Sequence, residues 1–283
     1  MADLIAQGYE PDDRWRKKVP PGEPFIVGRT AGAWAVPWDE RISRKHLELT
    51  YRDGRLSVQL LPQARNPVFY RGRKTPEFEL GLGEHFVIGG TTFTFSSDAL
   101  EVSLQAPPPD SERTFRPEEL QQQAFLRSDE RIESLSRLPA LIQSASDDEE
   151  LLAGLIRLLL DGIRPASGAA VVAWDSRRDA LEVLHWDLPR SQGTGFVPSE
   201  RLIRRALDQQ SGVLHFWSTN ASAESARFTA EAGIDWAACI PLLADEHEQL
   251  VIYLAGKFSN DNVARQTELE EEMKFAELAA TTF

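Results

Sequence analysis

The sequence is poor in cysteine and in long apolar runs, and each shortage removes a class of protein. The single cysteine, Cys239, excludes an intramolecular disulfide framework and a cysteine-based zinc cluster, which fits a reducing cytosol. No stretch approaches the roughly 18 apolar residues of a membrane helix, and the first residues lack the pattern of a secretory signal. We therefore expect a cytoplasmic protein with no membrane partner.

Basic charge is also in short supply. Lysine and arginine number 31 against 44 acidic residues, which gives a formal net charge of -13. A chain of this charge repels nucleic acid unless a basic patch lies on one face, so we expect no nucleic-acid partner and only a local anion site. The length of 283 residues, 42% of them hydrophobic, is sufficient for two ordinary domains.

Residues 25–95 carry the pattern of an all-β domain. Short alternating segments, rich in β-branched and aromatic residues, follow one another between turn residues. Asp53-Gly54 separates two such segments and predicts a tight hairpin, because both residue types tolerate a positive φ. We expect a two-sheet sandwich over residues 1–104.

A change of composition and period separates this half from the next. The stretch 105–116, QAPPPDSERTFR, disfavours helix and central strand because of its three consecutive prolines. We expect a linker and a connector helix over residues 105–137. Helix, strands, helix and strands then alternate, which predicts an α+β domain over residues 138–262, followed by a C-terminal connector helix over residues 263–283.

The helices of this second half carry more specific predictions. Ser146 and Glu149 form a capping box that would open a helix buried on nearly all sides. Segments 117–138 and 263–280 are candidates to pair with their copies in a second subunit, which predicts a homodimer. The last of them has a narrow apolar seam, Leu269, Met273, Ala276 and Ala280, whose alternative use is packing onto its own domain.

Several polar residues of the β half recur in a distinctive order. They are Gly28-Arg29, then Ser43-Arg44-Lys45-His46, then Asn66 and, six residues later, Gly72. In order and spacing, residues 14–97 resemble the forkhead-associated (FHA) family, whose pattern is a Gly-Arg pair, an S-x-x-H motif and an asparagine loop that closes on glycine. The resemblance implies a β-sandwich that binds phosphothreonine peptides through loops at one end.

A phosphate offers three acceptor oxygens and up to two negative charges, which a guanidinium fork and a hydroxyl match well. The resemblance gives this task to Arg29 and Ser43, with Arg44 as a second positive charge. Asn66 would hold the peptide main chain, because its amide group both donates and accepts hydrogen bonds. The expected partner is therefore a phosphothreonine-containing protein or peptide.

The other motif residues would support the site. The resemblance places His46 beneath the loop that presents Ser43, and it gives Gly28 and Gly72 structural roles. Two positions depart from the family, since Pro67 stands where glycine is usual and Arg71 where asparagine is common. These departures affect the main-chain contacts more than the phosphate contacts, and Arg71 is a candidate for a further contact to the anion.

Residues 138–258 resemble a GAF domain. The resemblance is carried by an N-terminal buried helix, the segment PSERLIRRALDQQSGVLHF, and the pair WAACIPLL and EQLVIYLAGKF. It implies a central antiparallel sheet with helices on one face and often a small-molecule pocket on the other, whose ligand the sequence does not identify. Cys239, His185 and His215 are more typical of core residues than of metal or cofactor ligands, so we expect neither metal nor cofactor.

Together, the two halves resemble the front of bacterial adenylate or guanylate cyclases. The sequence has no nucleophile elbow, Walker loop, zinc-protease motif or paired metal carboxylates, so we expect no catalytic residue. The favoured interpretation is a signalling protein that binds phosphothreonine, senses a ligand or dimerises, and controls an output such as a cyclase outside this chain. The alternatives are a scaffold with a degenerate site and part of a cyclase enzyme.

One further hypothesis concerns self-recognition. Thr114 lies in the predicted flexible linker, where a kinase would reach it and where the first domain of a neighbouring subunit would bind it.

Overall fold

A computed structural model gives the structure of the chain in two compact units, Met1–Ala99 and Leu100–Phe283. The division falls close to the boundary that the proline cluster predicts. The residues described are 2–10, 13–96, 100, 102–103, 106–115, 128–145, 147–188, 196–218, 222–242, 248–258 and 263–283.

The first unit consists of antiparallel strands: β1 (Asp3–Gln7), β2 (Arg14–Lys18), β3 (Pro24–Val27), β4 (Leu47–Arg52), β5 (Arg55–Leu60), β6 (Phe69–Tyr70), β7 (Arg73–Lys74), β8 (Glu77–Leu80), β9 (His85–Ile88) and β10 (Thr91–Ser96). One sheet has the order β2-β1-β10-β9-β6-β7 and the other β3-β4-β5-β8. Side chains from both sheets share one hydrophobic core, so the predicted two-sheet arrangement is confirmed.

The hairpin predicted at Asp53-Gly54 is present. Asp53 and Gly54 have φ values of 49° and 79°, and they join β4 to β5 with Arg52 opposite Arg55. Burial along β5 alternates between buried and more exposed positions, as a strand with one face on the core requires. The alternation that predicted the strand therefore also fixes its register.

The second unit mixes helices and strands: β11 (Ser111–Phe115), α1 (Ser128–Ser136), α2 (Leu138–Ser144), α3 (Asp148–Gly162), β12 (Ala166–Asp175), β13 (Ala180–Asp187), α4 (Glu200–Gln209), β14 (Gly212–Phe216), α5 (Ala223–Ala232), β15 (Trp236–Leu242), β16 (Glu248–Gly256) and α6 (Val263–Thr282). The strands form one antiparallel sheet with the order β11-β14-β15-β16-β12-β13. The α+β character and the antiparallel sheet that the sequence predicts are both present.

Helices cover both faces of this sheet, whereas the sequence led us to expect helices on one face only. Val171 and Ile252 point into the core that contains α3 and α6. Their strand neighbours Val172 and Val251 point the other way, into a core that contains Leu202 and its neighbours on α4. The central strands are apolar on both faces, and each face therefore needs a cover.

The predicted linker is wrong for residues 111–115, because β11 pairs with β14 at the edge of the second sheet. Just before it, the carbonyl of Pro107 accepts a hydrogen bond from Trp217 Nε1 at 3.2 Å. The prolines end before the strand begins, so an edge strand can still form. Thr114 lies exposed in this strand, with its hydroxyl 2.9 Å from the Gln209 side chain, and the flexible-linker basis for self-recognition is lost.

Two helix starts differ from the sequence predictions. Asp147 caps α3 by accepting a hydrogen bond from the Glu150 backbone nitrogen at 2.8 Å, whereas the predicted cap, Ser146, lies outside the described residues. Helix α5 was not predicted at all. It begins after Ser222, whose hydroxyl accepts from the Ser225 backbone nitrogen at 3.0 Å, and it ends at Gly233 in the left-handed region.

The connector helices also differ from expectation. Where the sequence predicts one helix up to Leu138, the described part contains α1 and α2 in succession, and residues 116–127 lie outside the described residues. The predicted apolar seam of α6 packs inside its own unit, in the core shared with α3; its members are Leu269, Met273, Ala276 and Ala280. The alternative use of that seam is therefore the one observed.

Candidate functional site

Backbone hydrogen bonds join the segment after β3 to the segment before β4. The Arg29 nitrogen donates to the Ser43 carbonyl at 2.9 Å, and the Thr30 nitrogen donates to the Arg44 carbonyl at 3.3 Å. A Cβ at Gly28 would lie 2.3 Å from the Arg44 carbonyl oxygen, so only glycine permits this approach. Gly28 thus allows Arg29 and Ser43 to lie side by side.

His46 supports the same segment from below. Its side chain is fully buried, and its Nδ1 accepts a hydrogen bond from the Ser43 backbone nitrogen at 2.9 Å. Burial lowers the pKa of His46, although a backbone contact with Asn66 and the charge of Asp39 oppose the shift. The ring is therefore neutral at pH 7 with its proton on Nε2, and it positions the Ser43 loop as the resemblance implies.

The loop after β5 completes the arrangement. The Ser43 hydroxyl accepts a hydrogen bond from the Arg65 backbone nitrogen at 3.0 Å, which leaves its own hydrogen free to point to a ligand. The Asn66 side chain donates to the Arg41 carbonyl at 2.7 Å. The structure thus brings Arg29, Ser43 and Asn66 to one group of adjoining loops.

The basic side chains of these loops have no ionic partner in the described part of the chain. The side chains of this set make no hydrogen bond or ion pair with another described residue. The set consists of Arg29, Arg41, Arg44, Lys45 and Arg65. Residues 1–99 hold 14 lysines and arginines against 13 acidic residues, so the acidic excess of the chain lies in residues 100–283. The loops therefore form a local basic surface on an acidic protein.

Arg71 and Gly72 belong to a different turn of the chain. They form the turn between β6 and β7, with φ values of 48° and 75°. The guanidinium of Arg71 pairs with Glu84 and lies 5.1 Å from the centre of the Tyr70 ring. The Arg71 hydrogen bond lowers the pKa of Glu84 to about 2. No hydrogen bond or ion pair among the described residues links Arg71 to the Arg29 and Ser43 loops, and its role as a further contact to the anion remains a prediction.

Sequence reasoning missed Arg41 and Arg65 as members of the basic surface. Neither belongs to the motif, and each is brought there through its backbone, Arg41 by Asn66 and Arg65 by Ser43. The only signal in the sequence is that each lies within two residues of a motif position. Such a neighbour can be proposed in advance, but its side chain can be placed only once the loop path is known.

In the second unit, the polar residues singled out by the sequence are packed. Cys239 is fully buried in β15, and this burial raises the pKa of its thiol. His215 is buried with its Nε2 3.0 Å from Glu112 Oε2, and burial lowers its pKa. Over the described ranges, no group of three potential ligand side chains could hold a metal ion, and no helix is long and apolar enough to cross a membrane.

Comparisons with known proteins concern the first unit. No family model and no curated protein matches this chain. Among solved structures, the FHA domain of CT664 from Chlamydia trachomatis is 20% identical, with a TM-score of 0.30, over 34% of this chain and 99% of that one. The FHA-1 domain of Rv1747 from Mycobacterium tuberculosis is 20% identical, with a TM-score of 0.28, over 34% and 98%.

A third similar structure is the yeast Dun1 FHA domain, solved in complex with a doubly phosphorylated peptide derived from Rad53. It is 17% identical, with a TM-score of 0.29, over 39% of this chain and 84% of that one. The TM-scores of all three structures are low.

Proposed function

We propose that the first unit binds a peptide that contains phosphothreonine, and that it does so as a signalling module without catalysis. Arg29, Ser43 and Arg44 contact the phosphate, and Asn66 contacts the peptide main chain. His46 acts through Ser43 and is a positioning residue. The charge of the ligand is complementary to the local basic surface, because a phosphate brings up to two negative charges to unpaired cations.

The observation that carries this proposal is the joint geometry of Gly28, Arg29, Ser43 and His46. A close backbone approach that only glycine permits at position 28 joins the backbone of Arg29 to that of Ser43, so both side chains start from neighbouring points. The histidine that holds the serine segment is buried at 0% exposure, as a fixed support would be. An arrangement of donors held in place before binding loses little conformational entropy when the ligand arrives.

The test is a fluorescence anisotropy titration of a phosphothreonine peptide library at fixed ionic strength. We expect roughly micromolar dissociation constants for the best peptides and no binding of the unphosphorylated forms. Arg29→Ala should weaken binding by about 100-fold, because it removes a charged partner from a hydrogen-bonded pair. Arg55→Ala is the matched control, since Arg55 is an exposed arginine of the same unit on β5.

Equal and negligible binding of phosphorylated and unphosphorylated peptides would contradict the proposal. The first unit would then be a packing module in a scaffold. Binding that needs the phosphate but is unchanged by Arg29→Ala would place the site elsewhere on the unit.

For the second unit we propose a GAF-like module that senses a small molecule or dimerises and so controls an output such as a nucleotide cyclase outside this chain. The antiparallel sheet with its flanking helices supports the proposal. A dimer would have to use a surface other than the α6 seam, which is buried in its own unit. On α1, Ile132 is 63% exposed and offers such a surface. Sedimentation of the chain over a range of concentrations tests the dimer.

A further inference from the structure

A cavity of about 160 Å³ lies in the first unit, beside the basic loops. Its walls come from three separate segments: the turn after β1, the segment before Ile42, and the turn between β9 and β10. The lining includes Tyr9, Asp13, Trp38, Asp39, Arg41 and Gly90. The motif residues do not explain this cavity, since none of them lines it.

Two glycines give the aromatic walls their positions. A Cβ at Gly8 would lie 2.8 Å from the Trp38 ring, and a Cβ at Gly90 would lie 2.4 Å from the Tyr9 ring. Each ring therefore occupies space that the Cβ of any residue other than glycine would fill at position 8 or 90. Tyr9 is 85% exposed, so one face of its ring is open to a ligand.

The polar wall is acidic. Asp39 is buried and accepts hydrogen bonds from the backbone nitrogens of Arg41 at 3.0 Å and Gly90 at 2.8 Å, and from the Thr91 hydroxyl at 3.0 Å. Asp13 makes no side-chain hydrogen bond or ion pair with another residue that the structure describes. Two carboxylates against one exposed arginine leave the lining with a net negative charge.

Aromatic faces next to carboxylates attract cations. A positively charged group over a tyrosine or tryptophan ring is held by the ring electrons, and a nearby carboxylate adds a charge-assisted hydrogen bond. The backbone nitrogens of Arg41 and Gly90, both in the lining, already donate to Asp39 and are not available to an anion. The cavity therefore suits a lysine or arginine side chain.

The location of the cavity indicates which molecule carries that side chain. Arg41 lines the cavity, and it precedes Ser43 by two residues, so the two lie within about 7 Å along the backbone. An extended peptide spans about 3.3 Å per residue. We propose that the cavity binds a lysine or arginine side chain of the phosphopeptide itself, about two to four residues from the phosphothreonine. This proposal rests on the proposed function.

The basic surface around the phosphate site affects how the position of a basic peptide residue changes the affinity. Five unpaired cations lie on the neighbouring loops, so a basic residue in the peptide should weaken binding at most positions by charge repulsion. A position at which a basic residue strengthens binding would stand out against that background. General charge attraction to the acidic chain would act at every peptide position and would not single out one.

The experiment places lysine, in turn, at each of the four positions on either side of phosphothreonine in a binding peptide. Norleucine at the same position is the uncharged comparison, because it has the unbranched hydrocarbon stem of lysine without the ammonium group. We expect lysine to bind about tenfold more tightly than norleucine at one position. Asp13→Asn and Tyr9→Ala should each reduce that advantage and leave the norleucine peptide unchanged. Asp53→Asn, at the exposed turn after β4, is the control variant.

The outcomes separate this proposal from the proposed function. If binding depends on the phosphate but the lysine peptide binds no more tightly than the norleucine peptide at any position, the cavity proposal is overturned and the proposed function stands. If the lysine advantage survives both Asp13→Asn and Tyr9→Ala, the basic side chain binds elsewhere and the cavity proposal is again overturned. If no peptide binds in a phosphate-dependent way, the proposed function fails and this inference with it.

Discussion

Charged side chains differ between the basic loops of the first unit and the interior of the second. In the first, basic side chains gather on the loops beside Ser43 and find no ionic partner among the described residues. In the second, Arg131 and Glu272 form a pair that is 3% and 1% exposed, and Arg113 pairs with Glu270. Removing one partner of a buried pair leaves the other charge desolvated and destabilises the fold, whereas unpaired charges on one surface are available to a charged ligand.

The largest effect should come from breaking the buried pair of the second unit. Glu272→Ala removes the carboxylate that pairs with the buried Arg131 guanidinium, which should lower the free energy of unfolding by about 3–5 kcal/mol. A urea titration followed by NMR signals of each unit would measure the loss. We expect the signals of the second unit to unfold at lower urea and those of the first to stay unchanged.

The matched control for this pair is Glu231→Ala on α5. Glu231 also pairs with an arginine, Arg227, but at the surface, with both side chains well exposed. Exposed pairs add little to stability, so the control should hardly move the transition. Equal effects of the two substitutions would show that Arg131 and Glu272 are not desolvated together.

The next largest effect is expected at His46 in the first unit. His46→Ala removes the acceptor of the Ser43 backbone nitrogen and leaves that nitrogen unsatisfied, which should cost about 1–3 kcal/mol of stability. It should also weaken phosphopeptide binding, because Ser43 loses its support. His85→Ala is the control, since His85 is an exposed histidine of the same unit. Unchanged affinity in a folded His46→Ala protein would contradict the positioning role.

His46 should also make the first unit sensitive to acid. Burial holds the pKa of His46 below its ordinary value of 6.5, so the unfolded chain binds a proton more readily than the folded unit does. Its contribution is therefore fully present above pH 6.5 and is lost as the pH falls towards the lower, folded pKa. Thermal unfolding of the first unit between pH 7.5 and 5 should show this decline, and His46→Ala should reduce it.

Much of this site could be predicted from the sequence, and the reasons differ between residues. Arg29, Ser43, His46 and Asn66 could be proposed because they match, in order and spacing, the pattern of the family that the sequence resembles. Arg71 stands where the family commonly has asparagine, and its side chain pairs with Glu84, a partner that no local sequence pattern predicts. The aromatic and acidic cavity was missed for the same reason, since three segments distant in sequence form its walls.

The same distinction explains the fold of the second unit. Its central sheet and its buried helix α3 follow from apolar periodicity, which is a local property. Whether α6 packs inward or pairs with another chain depends on what lies opposite its apolar face, and the sequence leaves both uses open. The edge strand β11 was missed because its pairing with β14 joins residues about 100 positions apart.

A smaller effect separates Arg44 from Arg71. Arg44 has no ionic partner among the described residues, so Arg44→Ala should weaken phosphopeptide binding by about three- to tenfold, more strongly at low salt. Arg71 is already paired with Glu84, and Arg71→Ala should leave the affinity nearly unchanged. Anisotropy titrations at two salt concentrations would measure both. A larger loss for Arg71 would return it to the phosphate site.

The smallest effect on stability is expected at Ile132, which lies 63% exposed on α1. Ile132→Glu adds a charge to a surface position and should change the free energy of unfolding by no more than about 0.5 kcal/mol. If two copies of the chain pair through α1, the same substitution should separate the dimer, because a charge would then be buried in the interface. Sedimentation of the wild-type and variant chains distinguishes the cases, with Leu82→Glu, at an exposed apolar residue of the first unit, as the control. A dimer that Ile132→Glu leaves intact would rule out the α1 face.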